Sequence, residues 1–215
     1  MIGLDLPTII SLAITLIIAI TVHEFSHAYA ADQLGDTTPR LQGRLTLNPR
    51  SHLDPLGSIL FIITGFGLGK PVMTNPYNLR SPIRNSMAIV AAAGPFSNLV
   101  LALIAAIPVR LGLLPLLNIG EIRGVLPSLA DFLTLFILVN IGLMLFNLIP
   151  ISPLDGFKIA LGVLPDDWAN SLARLEQYGP MILMLLLVSG RFGLDIFGFI
   201  MNPARGGLFK LITGF

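Results

Sequence analysis

The sequence predicts an all-α polytopic membrane protein of about four to six transmembrane helices, with a small membrane-associated β-ribbon and a re-entrant segment after the first span. Three observations lead there. Hydrophobic residues make up 54% of the 215 and charged residues only 12%, the balance of a chain dissolved in lipid. Apolar runs reach the roughly 20 residues that a helix needs to cross a bilayer. A Gly-, Pro- and Arg-rich section separates the first run from the second.

The first run covers residues 6–31. Its apolar stretch is too long for the core of a cleavable signal and no basic segment precedes it, so it reads as a retained span. Residues 32–86 follow, with one apolar stretch at 56–68 that is too short to span and suits a re-entrant element. Within that section, residues 43–48 and 71–75 alternate as strands do and predict the β-ribbon. Spans are predicted at 87–111, 129–149 and 178–200, and the C-terminal NPARGGLFKLITGF reads as an interfacial amphipathic tail. No internal repeat divides the chain. Residues 1–215 are expected to form one integral membrane domain, in five sections at 1–31, 32–86, 87–149, 150–177 and 178–215.

Basic residues orient it. Arg40, Arg44, Arg50, Lys70, Arg80 and Arg84 all lie between the first two spans, whereas the 112–128 loop carries only Arg123. Positive charge is retained on the cytoplasmic side, which puts the end of span one and the end of span three on that face of, by expectation, a prokaryotic plasma membrane. The net charge of +1 gives no reason to expect a nucleic-acid partner, and the absence of cysteine excludes disulfides and thiolate metal sites.

The chemistry lies on that shared face. HEFSH, residues 23–27, sets two of the chain's three histidines at i and i+4, which a helix stacks on one side about 6 Å apart, close enough to hold one ion. Glu24 falls beside them, where a carboxylate can draw a proton from a metal-activated water. His23 is about 26 Å along the span at 1.5 Å per residue, so the site is expected inside the bilayer, where ionisable residues are costly and mark function. His23 and His27 are therefore the first two expected Zn2+ ligands, and Glu24 the catalytic base.

The third ligand should come from the end of span three, where NLIPISPLDGFKI occupies residues 147–159. Pro150 and Pro153 interrupt the helix, Gly156 permits a tight turn, and Asp155 offers the hard carboxylate that suits zinc beside two imidazoles. The same donor set would accept iron or cobalt.

HEFSH and this Asn-x-x-Pro-x-x-x-Leu-Asp-Gly-type motif, with LTLNPRSHLDPLGSI and AAAGPFSNLVLAL between them, resemble the site-2 protease family in its short prokaryotic form, over most of the chain. The resemblance implies an intramembrane zinc metalloprotease that hydrolyses peptide bonds of transmembrane substrates, with His23, His27 and Asp155 on the metal and Glu24 as base. The PDZ or CBS modules of larger members find no room in 215 residues. Three residues carry substrate or oxyanion roles as alternatives to plain packing: Asn147, two turns before Asp155; His52; and Asn98. A transmembrane substrate must unwind to expose a carbonyl, and residues 43–48 and 71–75 are expected to pair with it. The rival readings are a metal-binding membrane protein without proteolysis and a membrane hydrolase of another substrate.

Overall fold

The computed structural model describes residues 5–54, 70–80, 82–116 and 126–214. Helix α1 runs over Leu6–Gln33 and a short α2 over Thr38–Leu41; α3 is Ile83–Arg110, α4 Leu129–Asn147, α5 Asp155–Val163, α6 Asp166–Ala173, α7 Gly179–Ser189 and α8 Ile196–Thr213. Of these, α1, α3 and α4 are long and apolar enough to cross a membrane.

Local chemistry sets the helix ends. Asp5 caps α1 by accepting the Thr8 amide at 2.9 Å, with Pro7 in the first turn, and Ser128 and Asp131 form a reciprocal capping box at α4. Helix α3 packs against α1, α4 and α5, and α1 reaches α4 as well. Their buried faces explain why. Leu12, Leu16, Ala19, His23 and His27 follow one side of α1, and Ala91, Pro95, Asn98, Ala102, Ala105 and Val109 one side of α3. Small residues on that stripe let backbones approach closely, which is how helices associate where hydrophobic burial gives no advantage over lipid.

The fourth predicted span, 178–200, is divided. Helix α7 has 11 residues, about 16 Å, and cannot cross. A 3-10 turn at Gly190–Phe192 ends it, Gly193 adopts a left-handed φ of 80°, and Asp195 caps α8 by accepting the Gly198 amide at 2.7 Å. The count among the described residues is thus three candidate spans, below the expected four to six. The C-terminal stretch expected to lie at an interface is the end of α8 and packs into the bundle: Ile212 and Thr213 are buried, and Ile212 joins Ala102, Ala105, Phe136 and Ile137 in the core between α3 and α4.

The described residues contain no strand, so the predicted β-ribbon at 43–48 and 71–75 does not form as a ladder. The reason is a side chain. Arg44 is buried and donates to the carbonyls of Ser51, Lys70 and Pro71, so side-chain bonds draw the two segments together in place of main-chain pairing. The re-entrant segment expected at 56–68 lies outside the described residues.

Candidate metal centre

His23 and His27 project from the same side of α1, and Asp155 meets them from the first turn of α5. Asp155 Oδ2 is 3.2 Å from each Nε2, and the two Nε2 atoms are 3.0 Å apart. Turn residues 148–154 carry the chain from α4 to this point, and the fit is tight: a Cβ on Gly156 would stand 2.3 Å from the Leu148 carbonyl oxygen. Helix α5 is seated on α3, where Gly162 leaves no room for a side chain against Ala88. Arg84 of α3 donates to the carbonyls of Leu161 and Leu164 and pairs with Asp166.

The outer nitrogens of both imidazoles are committed. His23 Nδ1 lies 2.7 Å from Asn98 Oδ1, and His27 Nδ1 lies 2.7 Å from the Val90 carbonyl. Asn98 Nδ2 in turn donates to Asn140 Oδ1 at 2.9 Å and to the Ala19 carbonyl, which fixes its amide orientation. Both partners of the imidazoles can only accept, so each Nδ1 carries a proton and each Nε2 is the ring atom turned inward, available to a metal once it gives up any proton of its own. Asp155 Oδ2 is buried without a hydrogen-bond donor.

Two imidazole nitrogens and a carboxylate oxygen therefore converge at 3.0 to 3.2 Å, a spacing that a shared cation, metal or proton, holds together. The edges of a tetrahedron with metal–ligand bonds near 2.0 Å are about 3.3 Å long, so the spacing suits a zinc-sized ion. The donors fit such a metal, and His23, His27 and Asp155 would hold it.

A cavity of about 260 Å3 opens on this cluster. Glu24 lines it with the three ligands, as does Asn147, whose Nδ2 donates to Leu143 O at 3.0 Å. Pro71, Val72 and Thr74 form part of the wall. Asn98 is fully buried behind His23 and holds the imidazole; it does not line the cavity. His52 is also fully buried, with Nε2 2.7 Å from Thr46 O, and does not line the cavity either. Ser26 Oγ bonds the Val22 carbonyl.

Sequence reasoning passed over Val90 and Gly94. They and Asn98 are spaced by four along α3, one face of a helix. A Cβ at Gly94 would stand 2.3 Å from His27 Nε2 and 2.6 Å from His23 Nε2. That glycine keeps the ligand atoms uncovered, and its place four residues from both Val90 and Asn98 is the signal that could have found it.

These features define a helical protein with three candidate membrane spans and, within its bundle, a three-residue cluster that could hold a metal ion. Among known proteins, the chain is 37% identical over 202 residues to "Putative zinc metalloprotease YwhC" of Bacillus subtilis, covering 94% of this chain and 90% of the relative. It is 30% identical over 180 residues to "Putative zinc metalloprotease Rip2" of Mycobacterium tuberculosis, spanning 80% of this chain and 64% of that longer protein. The chain belongs to the zinc-metalloprotease family of these relatives. No family model matches it, and no solved structure does.

Proposed function

We propose that the protein is an intramembrane zinc metalloprotease of the site-2 type, cleaving peptide bonds of transmembrane substrates. The observation that carries this reading is the convergence of three potential metal-donor atoms, on His23, His27 and Asp155, at 3.0 to 3.2 Å beside the Glu24-lined cavity. The names of its relatives support zinc as the metal.

When bound, a zinc ion supplies Lewis acidity that lowers the pKa of a coordinated water and polarises a carbonyl. The chain's own residues do the rest. Asn98 and the Val90 carbonyl hold the two imidazoles in the tautomer that faces inward. Glu24 takes the proton of the attacking water and delivers it to the leaving amine. Asn147 and the wall formed by residues 71–74 receive the unwound substrate, whose backbone needs hydrogen-bond partners in the membrane. The basic 32–86 section supports a cytoplasmic placement of the site in a plasma membrane.

The test is Glu24→Gln, assayed on purified protein for metal content and for cleavage of a single-span peptide. Near-stoichiometric zinc with cleavage reduced by at least about a hundredfold is expected. A variant that cleaves as well as the parent, or a parent that binds zinc and never cleaves, sinks the peptidase reading.

A further inference from the structure

We infer that Asp36 and Arg44 are positioning residues for substrate: two buried, opposite charges that peg the ends of the segment at 70–75 across the metal cavity and present its unpaired backbone to an extended peptide. The inference rests on the peptidase reading and adds to it the groups that hold the docking edge.

Asp36 is fully buried and Arg44 nearly so, yet the ion pairs of the described residues do not join them to each other or to any other charge. Burying a charge is costly unless hydrogen bonds compensate, and here part of that compensation comes from the backbone at the two ends of the segment, the rest from Ser51, Thr38 and Asn78. At one end, Arg44 donates to the Lys70 and Pro71 carbonyls at 3.2 and 3.3 Å, and to that of Ser51. The Lys70 amide adds a bond of 2.8 Å to the His52 carbonyl. At the other end, Asp36 Oδ2 accepts the Asn75 amide at 2.6 Å, while Oδ1 accepts the Thr38 amide at 3.0 Å and Asn78 Nδ2 at 3.2 Å.

Between the pegs, the backbone amides and carbonyls of Val72, Met73 and Thr74 make no hydrogen bond among the described residues. Val72 and Thr74 are partly buried and line the cavity, whereas Met73 between them is 63% exposed. That alternation belongs to an extended chain. A β-ladder would hold the segment with less desolvation of charge, but it would consume the N–H and C=O groups that a substrate strand needs. Two charged pegs at the ends fix the segment and leave its edge open.

The experiment uses the full-length protein in detergent micelles, a synthetic single-span peptide as substrate, and a nitroxide attached at Met73→Cys, which is unique because the chain has no cysteine. Asp36→Asn and Arg44→Gln should each lower kcat/KM about tenfold or more, mainly through KM, as losing one charge-assisted bond predicts. Zinc content should stay at the parent value, and the nitroxide at position 73 should become more mobile. Arg44→Lys keeps the charge but cannot fork across several carbonyls; it should show the same changes in milder form, and it stands in if Arg44→Gln does not accumulate. An unchanged KM, an unchanged nitroxide spectrum, or zinc lost in proportion to activity overturns the inference. If the parent never cleaves the peptide, the peptidase reading fails instead, and the nitroxide still decides whether the two charges hold the segment.

Discussion

His23 Nδ1 and Asn98 Oδ1 lie 2.7 Å apart although 75 residues separate them. This one contact puts a proton on Nδ1 of His23, directs its Nε2 into the candidate metal cluster, and ties α1 to α3 at the depth of the site. Asn98 is also held by Asn140 of α4, so all three candidate spans meet in one buried chain of amides. Such a network is strong when every member is satisfied and costly when one is removed.

Replacing Asn98 should therefore act through metal affinity. Asn98→Ala removes the acceptor of His23 Nδ1, and loss of such an outer partner typically weakens metal binding by about 10- to 100-fold. Titration against a competing chelator measures it. Asn98→Asp keeps an acceptor and should retain more affinity than Asn98→Ala; equal losses in the two would contradict the role given to Asn98.

Gly94 should tolerate no side chain. The added Cβ of Gly94→Ala would press within 2.3 to 2.6 Å of both ligand nitrogens, where it excludes an ion or forces the imidazoles apart. Zinc content and cleavage should both collapse while helicity by circular dichroism is kept. A Gly94→Ala protein with full zinc would show that α1 and α3 can separate at little cost.

Metal removal should destabilise the bundle. Without a metal, only protons on the imidazoles are left to offset the convergence of His23 Nε2, His27 Nε2 and Asp155 Oδ2 at 3.0 to 3.2 Å. A ligand at a thousand times its Kd stabilises the form that binds it by about 4 kcal/mol. Chelation should lower the unfolding temperature, and added zinc should restore it in the parent but not in His27→Ala. An unfolding temperature indifferent to chelation would argue against a metal at this cluster.

Asp36 should make stability depend on acid pH. Burial raises its pKa, but the bonds it accepts from Thr38, Asn75 and Asn78 outweigh this and leave the carboxyl below the ordinary aspartate value. A group lowered in the folded state contributes stability that is present above its unfolded pKa, near 3.9, and is lost as pH falls through the folded value. The difference in unfolding temperature between parent and Asp36→Asn should be largest near neutrality and shrink below about pH 4. A difference constant down to pH 2 would show that Asp36 is not ionised in the fold.

What the sequence by itself determined follows from short-range periodicity. HEFSH within an apolar run places two imidazoles and Glu24 by helical geometry alone, and the prolines before Asp155 end a helix wherever they occur. The break between α7 and α8 was also legible, in Gly193 and Asp195, but an apolar count over 178–200 conceals it. The tertiary structure alone decided what surrounds the site. Val90 and Asn98 reach the imidazoles across separations of 63 and 75 residues, and Gly94 matters only because α1 lies against it. The strand-like pattern at 43–48 and 71–75 became a segment pegged by Arg44 and Asp36. Alternation states that a segment is extended and which side chains turn inward; which groups bond its backbone depends on neighbours that only the packed helices supply.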